Sequence, residues 1–420
     1  MAEQIIYAAS WLINADAPPV AGGALLVRDG MIAATGPLNI LRKEYSAPVV
    51  DFPGFVLLPG FVNAHTHLEL THFPSWRLRS AVDYNPRRFT DWIIQLIKIA
   101  RGLTAADYPP SVQEGVRMCL ESGTTAIGEI VTNPTLAEYY YNSPLAGRLY
   151  FELLGQEPGF FRSKLAAAVA AAGQGEEQVL QSGLSPHSPY TIAQDHLAEI
   201  RDASASCSLP LAIHLSESRA EADFVFDGTG DLVSSFYPFV GWEHFLGHPA
   251  RCTSTELLDR NGLLTPTTLA VHCVHLSVAD ARIIKSRGVH VALCPRSNEV
   301  LNVGRAPVAL FKKFDIPLAL ATDSLASNNS LSLWDELRFA LEIFPNDLSE
   351  PDVFRMVTTG AAAALGVSAT CGSLETGKRA DFQVVGNCLG GGEDKLVERV
   401  MREGIVQEVF AGGVRYAGNV

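Results

Sequence analysis

Several histidines and one aspartate are placed where they could together bind a divalent metal ion. His65 and His67 are one residue apart, and on a β-strand such a pair points to the same face. By itself this pair is a weak signal. His214 and Asp323 strengthen it, because each follows an apolar run that predicts a strand. An aspartate directly after residues 317–322 is costly to bury unless a partner such as a metal ion accompanies it.

The elements that carry these residues are apolar runs alternating with segments of helical periodicity. The eight candidate strands are residues 61–67, 124–130, 147–155, 183–188, 209–217, 269–277, 290–297 and 317–324. Eight alternating strand and helix units predict an α/β fold, the closed (β/α)8 TIM barrel. Polar residues recur at the carboxyl end of the runs, which is where such barrels form their active sites.

Both ends of the chain show short strand patterns instead. Asp29-Gly30 lies between two apolar runs and predicts a hairpin turn, and Gly412-Gly413 is a second predicted turn. These patterns predict a small, discontinuous β-sandwich domain built from residues 1–56 and 368–420, and a barrel of residues 57–367.

Composition narrows the classes of partner and the compartment. With 32 basic and 45 acidic residues the net charge is −13, which argues against nucleic acid or an anionic membrane as a partner. No apolar stretch approaches the roughly 20 residues that span a bilayer, and the N-terminus lacks the pattern of a secretion signal. Seven scattered cysteines without a CxxC pair predict reduced thiols and a cytoplasmic protein.

Six motifs, in order, resemble those of the cytosine-deaminase and chlorohydrolase-like branch of the amidohydrolase superfamily. They are GFVNAHTHLEL, SPHSPYT, IHLSES, VHCVHLS, CPRSN and LATDSLASNNSLSLWDEL. The resemblance covers essentially the whole chain and extends to the methylthioadenosine/S-adenosylhomocysteine deaminases and the aminodeoxyfutalosine deaminases. It implies a barrel with an appended β-sandwich, a small heterocyclic substrate, and a homodimer or higher homo-oligomer.

The resemblance also implies a role for each motif residue. The ligands of a single divalent metal ion, zinc or iron, are matched by His65, His67, His214 and Asp323. Glu217 matches the general acid/base, and His272 matches the group that orients the attacking hydroxide. No lysine follows strand three or four to bridge a second metal ion, so the site is expected to be mononuclear.

These residues predict the hydrolysis of an amino group on a heterocycle. The cation lowers the pKa of its water toward about 7, Asp323 takes the water's proton, and Glu217 protonates a ring nitrogen as ammonia leaves. The predicted substrate is aminodeoxyfutalosine, methylthioadenosine, S-adenosylhomocysteine or adenosine. A triazine-type chlorohydrolase or aminohydrolase, or a guanine, cytosine or pterin deaminase, is the alternative on the same site. A scaffold that has lost the metal is a third hypothesis, which the intact ligand set disfavours.

Six further residues are candidates for the substrate side of the site. They are His187, Arg148, Asp91, Arg296, Trp92 and Ser324. His187 resembles a histidine that contacts the purine ring in the family, and the alternative is a structural histidine in a turn. Arg148 resembles an arginine on the substrate side, and the alternative is an arginine solvated at a strand edge. Asp91 falls near a glutamate that contacts ribose hydroxyls in the family, or else faces solvent. Arg296 could bind a substrate carboxylate or pair with Glu299.

An aromatic segment separates His214 from His272. Residues 220–260 are rich in phenylalanine, tyrosine, tryptophan and glycine. Two interpretations stay open: a lid that stacks on an aromatic substrate, or a contact between subunits.

Overall fold

A mixed sheet and a parallel barrel account for all sixteen strands. The structure is a computed structural model that describes residues 4–175, 179–390 and 392–418. Its strands are β1 (Gln4–Leu12), β2 (Val20–Ala21), β3 (Gly23–Arg28), β4 (Met31–Pro37), β5 (Val49–Pro59), β6 (Phe61–Thr66), β7 (Thr124–Val131), β8 (Ala146–Leu153), β9 (Leu180–Pro186), β10 (Leu211–Leu215), β11 (Thr268–His272), β12 (His290–Leu293), β13 (Leu318–Leu320), β14 (Phe382–Gly386), β15 (Ile405–Ala411) and β16 (Val414–Gly418).

The helices fill the connections between the strands. They are α1 (Leu38–Glu44), α2 (Phe73–Arg79), α3 (Phe89–Arg101), α4 (Tyr108–Glu121), α5 (Ala137–Tyr141), α6 (Pro158–Gly173), α7 (Leu197–Cys207), α8 (Arg219–Asp227), α9 (Tyr237–Val240), α10 (Ser254–Arg260), α11 (Val278–Arg287), α12 (Pro295–Leu301), α13 (Val308–Lys313), α14 (Leu333–Ile343), α15 (Glu350–Met356), α16 (Thr359–Ala364) and α17 (Leu396–Glu403). In the part of the chain that the structure describes, none of them has the length and apolar character needed to cross a membrane.

Strands from both ends of the chain form the mixed sheet. Its order is β16-β15-β14-β5-β1-β3-β4, with β2 paired to β1. The predicted turns are present: Asp29-Gly30 joins β3 to β4 and Gly412-Gly413 joins β15 to β16, all with positive φ. One face buries the rings of Tyr7, Phe382 and Phe410, with centroids 4.3 to 5.1 Å apart. The two ends of the chain therefore share one core.

The remaining eight strands, β6 to β13, form the predicted barrel in sequence order and all run parallel. The ring closes where Thr66 bridges to Asp323, whose backbone N–H donates to the carbonyl of His65 at 3.1 Å. β5 ends at Pro59 and β6 begins at Phe61, so the sheet leads directly into the barrel.

Small apolar side chains fill the inside of the barrel. The inward residues include Val62, Ala64, Ala126, Ala146, Ala212, Val271, Ala292 and Ala319. Helix α16 packs against this cluster through Ala361 and Ala362 and closes the end away from the carboxyl ends of the strands. Of the two ends of the barrel, the rim at the carboxyl ends of the strands is therefore the one open to a ligand.

Candidate metal centre and cavity

A bulge in β6 turns two histidines toward the barrel axis. Ala64 packs inside the barrel, so regular alternation would next bring Thr66 inward. Between Asn63 and Thr66, however, the register with β7 shifts by one residue. The extra residue reverses the alternation, so that His65 and His67 face the axis, with their Nε2 atoms 3.1 Å apart.

His214 and Asp323 complete the predicted ligand set around His65. Asp323 places Oδ1 3.8 Å from Nε2 of His65 and 3.6 Å from Nε2 of His67. The ring of His214 lies 4.9 Å from that of His65, and its Nδ1 donates to the carbonyl of His187 at 2.8 Å. This bond leaves Nε2 of His214 free to bind a cation. All four predicted ligands are therefore brought together.

The protonation states of these groups fit a divalent cation. Burial lowers the pKa of His67 to about 3 and that of His214 to about 4, and it holds the pKa of His65 well below its usual range. Burial acts to raise the pKa of Asp323, but neighbouring histidines and seryl hydroxyls outweigh it and the pKa is lowered. Three neutral imidazoles and one carboxylate are what zinc or iron binds.

Hydroxyl groups fix the orientation of Asp323. Ser297 and Ser327 each donate from Oγ to Oδ2 at 2.7 Å. Because Oδ2 is occupied, Oδ1 is the oxygen that faces the histidines. Among the residues that the structure describes, the buried Nδ1 of His65 has no hydrogen-bond partner.

Glu217 and His272 lie beside this set, as the sequence predicted. Oε1 of Glu217 is 3.7 Å from Nε2 of His272, which has no hydrogen-bond partner among the described residues. Burial raises the pKa of Glu217 to about 8, which favours the acid form of its carboxyl group. Nδ1 of His272 donates to Oδ1 of Asn298 at 3.0 Å, which leaves Nε2 as an acceptor.

Glu221 is a positioning residue that the sequence analysis missed. It is fully buried, and its carboxylate accepts the backbone N–H of Ser216 at 2.8 Å and that of Glu217 at 3.1 Å. Ser216 has a φ of 51°, a conformation that costs energy outside glycine. Glu221 therefore holds the turn that directs Glu217 toward His272.

A cavity of about 570 Å³ opens above the metal ligands. Its floor contains His67, His214, Glu217, His272 and Asp323. Its walls are mostly apolar and come from α3 and from residues 232–242, where Leu96 and Trp92 face Phe236 and Trp242. A cavity of this size and character suits a small heterocyclic molecule with an apolar substituent.

Three of the six predicted substrate residues line the cavity. They are His187, Trp92 and Ser324. Nδ1 of His187 contacts the hydroxyls of Ser188 and Thr191, each at 3.0 Å, and Nε1 of Trp92 donates to the carbonyl of Ala326 at 2.9 Å. These side chains are fixed in place before a ligand arrives.

The position of Arg148 contradicts its predicted role. It lies near the start of β8, at the closed end of the barrel, rather than at the rim. Its guanidinium donates to the carbonyl of Leu365 at 2.8 Å, to Oε1 of Gln181 at 2.6 Å and to the carbonyl of Ser182. It is a buried structural arginine that joins α16 to the strands.

Arg296 and Asp91 also lie outside the cavity lining. The guanidinium of Arg296 turns to Asn328 and Asn329, with Glu336 3.8 Å away. Its carboxylate partner is Glu336 and not Glu299, which lies near Arg87. Asp91 accepts hydrogen bonds from Gln95 of its own helix and from Asn85 of the preceding loop, and it is half-buried rather than fully facing solvent as the alternative had it.

The aromatic segment forms one wall of the cavity. Phe236, Val240 and Trp242 line it, and Phe236 also packs edge to face against Tyr190, with centroids 6.1 Å apart. This position agrees with the first of the two interpretations, a cover over the site that presents rings to an aromatic substrate.

Other polar lining residues escaped the sequence analysis. Glu69, Thr132, Glu152 and Gln156 contribute a polar wall to the same cavity. Burial raises the pKa of Glu69 to about 7 and also raises the pKa of Glu152. Glu69 lies within the first histidine motif and Glu152 ends a predicted strand, so a search for acidic residues at strand ends would have found both.

Comparison with known proteins identifies relatives over nearly the whole chain. A model described as the amidohydrolase family matches residues 56–415. A 5-methylthioadenosine/S-adenosylhomocysteine deaminase of Desulforudis audaxviator is 31% identical over 399 residues, covering 88% of this chain and 83% of the relative. An aminodeoxyfutalosine deaminase of Deinococcus radiodurans is 30% identical over 336 residues, covering 77% of each chain.

Solved structures agree with this fold. The aminofutalosine deaminase of Helicobacter pylori, in complex with methylthio-coformycin, superposes with a TM-score of 0.85 at 25% identity over 98% of this chain and 99% of its own. A zinc-containing adenosine deaminase of Xanthomonas campestris gives 0.80 at 25% identity, over 98% and 92%. An atrazine chlorohydrolase of Arthrobacter aurescens gives 0.80 at 18% identity over 99% and 95%, a likeness of fold alone.

Proposed function

Since this chain belongs to the amidohydrolase family, we propose that it is a metal-dependent deaminase that removes the amino group of an adenine-type nucleoside as ammonia. The observation that carries the proposal is the position of Glu217, a buried carboxyl group that lines the cavity beside the metal ligands, 3.7 Å from Nε2 of His272. When water attacks an amine-bearing ring carbon, the adjacent ring nitrogen needs such a proton donor. The deaminase relatives support the same reaction class.

The cation is proposed to be zinc, with iron as the alternative because nitrogen and oxygen ligands suit both. The residues that would hold it are His65, His67, His214 and Asp323. When bound, it supplies a water whose pKa is lowered toward about 7, and hence a nucleophile at neutral pH. The zinc in the adenosine deaminase relative supports this choice.

The protein's own groups then move the protons. Asp323, ionised and with Oδ1 unoccupied by hydroxyls, accepts a proton from the attacking water. Nε2 of His272 accepts a hydrogen bond from that water and orients it, because Asn298 keeps the proton on Nδ1. Glu217 donates its proton to the ring nitrogen. As the tetrahedral centre collapses, Asp323 returns the water's proton to the amino group, which leaves as ammonia. The proton of the new hydroxyl passes to Glu217 as a carbonyl forms on the ring.

Ammonia release from a panel of substrates tests the proposal. The panel is adenosine, methylthioadenosine, S-adenosylhomocysteine, aminodeoxyfutalosine, guanine, cytosine and a pterin. We expect turnover of one or more of the adenine nucleosides and little of the others. No release from any adenine nucleoside by enzyme that holds close to one equivalent of metal would overturn it, and persistent absence of metal would favour the scaffold hypothesis.

We also propose a cytoplasmic homodimer or higher homo-oligomer. All seven cysteines are free, which supports a reducing compartment. Light scattering on the purified protein checks the assembly, and a mass equal to the 45.2 kDa of one chain would contradict it.

A further inference from the structure

The polar wall of the cavity holds three buried side chains that the proposed reaction does not use. Glu69 is 4% exposed, Glu152 is 8% exposed and Gln156 is 5% exposed. All three line the same cavity as the metal ligands. Buried polar groups are costly unless they are hydrogen-bonded, so a wall of them facing a cavity indicates that a ligand supplies the partners.

The oxygens of the two carboxyl groups have few hydrogen-bond donors. Oε2 of Glu69 accepts the backbone N–H of Thr132 at 3.3 Å. The hydroxyl of Thr132 lies within hydrogen-bond reach of both Glu69 and Glu152 but carries a single proton, so it serves one of them at a time. Lys164 acts on both carboxylates only through its field and forms no ion pair with either in the described part of the chain.

Gln156 has the opposite deficit. Its Nε2 is buried and donates to no acceptor in the structure. The wall therefore combines carboxylate oxygens that need donors with an amide N–H that needs an acceptor.

A hydroxyl group satisfies both needs, because it donates one hydrogen bond and accepts others. An ammonium group could donate to the carboxyl oxygens, but it has no lone pair to accept a hydrogen bond from Gln156. A metal ion cannot accept that hydrogen bond either. Two neighbouring hydroxyls are therefore the chemistry that best fits all three side chains.

We infer that Glu69, Glu152 and Gln156 bind the ribose hydroxyls of the substrate, an assignment that rests on the proposed nucleoside deamination. Glu69 follows the ligand His67 by two residues, and Glu152 is close enough to His214 to interact with it electrostatically. The sugar then lies directly beside the reacting ring. This places ribose recognition at the carboxyl ends of β6 and β8 rather than on Asp91 of α3, where the family resemblance had put it.

The experiment compares sugar variants of one base. Wild-type enzyme with its metal is assayed with adenosine, 2′-deoxyadenosine, 3′-deoxyadenosine and 2′,3′-dideoxyadenosine, and kcat and KM are measured separately. Losing hydrogen bonds to buried carboxylates should lower kcat/KM by about 10- to 100-fold for the dideoxy compound. This arm needs no variant, so it stands even where a substitution prevents folding.

The second arm uses Glu69→Gln and Glu152→Gln, with Asp91→Asn as the matched control. Each glutamine variant should lose at least about tenfold more kcat/KM on adenosine than on 2′,3′-dideoxyadenosine, mainly through KM. The amide replaces one acceptor oxygen by an N–H group, which matters only when a sugar hydroxyl is present. Asp91→Asn should leave the ratio of the two substrates unchanged.

Three results would overturn the assignment. One is a wild-type ratio near one, with both nucleosides turned over. Another is a large ratio of kcat/KM on adenosine to kcat/KM on 2′,3′-dideoxyadenosine that both glutamine variants keep and Asp91→Asn abolishes. A third is no deamination of any adenine nucleoside, which overturns the proposed function itself and is thereby distinct from the first two.

Discussion

Two inward-facing side chains of β8 show how differently the two ends of one barrel treat charge. Arg148 and Glu152 are four residues apart on the same face, about 13 Å along the strand. Both are almost completely buried. Arg148, at the closed end, has three protein acceptors for its guanidinium, whereas Glu152, at the rim, shares one hydroxyl with Glu69.

The contrast between Arg148 and Glu152 distinguishes a residue that stabilises the fold from one that serves the site. A buried charge whose hydrogen bonds are all made within the protein ties elements together, as Arg148 ties α16 to the strands. A buried charge that faces a cavity with few partners is held at a cost to stability, and such groups cluster at functional sites. Changes at the closed end should therefore unfold the protein, whereas changes at the rim should remove activity.

The largest effect is expected from Glu217→Gln at the rim. The amide keeps the shape but donates no acidic proton, so kcat should fall by about 10³- to 10⁴-fold. Ammonia release and metal analysis on the same sample check this, with metal content unchanged from wild type. Activity within tenfold of wild type would refute the role of Glu217 as proton donor.

At the closed end, Arg148→Met should destabilise the fold by about 2–4 kcal/mol, because the carbonyl groups of Leu365 and Ser182 lose their donor. Urea unfolding measures the change. In buffer without urea, kcat/KM per folded molecule should stay within about threefold of wild type. A large rise in KM with unchanged stability would restore Arg148 as a substrate residue and break the comparison.

The pH dependence of activity gives a smaller, graded effect. Burial raises the pKa of Glu217, so its acid form persists up to about pH 8 and is lost as the pH rises further. A bound cation favours the carboxylate, so kcat/KM should fall with a midpoint at or below about pH 8, tenfold per unit beyond it. A pH–rate profile that stays flat through about pH 9 would contradict this assignment.

The smallest effect is on stability at the rim. Glu152→Gln should change the free energy of unfolding by about 1 kcal/mol or less, or increase it, since an under-paired buried carboxylate is replaced by a neutral amide. The same urea experiment as for Arg148→Met measures it. A loss as large as that of Arg148→Met would show that both ends of β8 are structural.

Much of the architecture follows from patterns in the chain. Apolar runs predicted the eight barrel strands, because parallel strands buried on both faces are nearly continuous in apolar residues. The regular alternation of β10 also brings His214 inward by the rule used for prediction. His65 and His67 reach the axis only because of a bulge, which nothing in residue type announces.

Predictions for single long side chains fared worse. Arg148 and Arg296 have partners far away in sequence, Leu365 and Glu336, so their orientation depends on how distant elements pack. Glu152 was overlooked for a different reason: a glutamate near the end of a strand is common on a protein surface. One end of each barrel strand meets helix α16 and the other meets the cavity. This arrangement exists only once the barrel has closed.

The bulge in β6 also bears on how such a site can arise. The inward residues before the bulge pack in the apolar interior of the barrel, and those after it are the predicted metal ligands. One additional residue therefore separates the part of β6 that packs the core from the part that forms the site. Deleting one residue there would turn the side chains of His65 and His67 from the inside of the barrel to the outside. The composition of the chain would hardly change. Gain or loss of a metal centre on this scaffold is thus within reach of a single insertion or deletion event, without any exchange of core side chains.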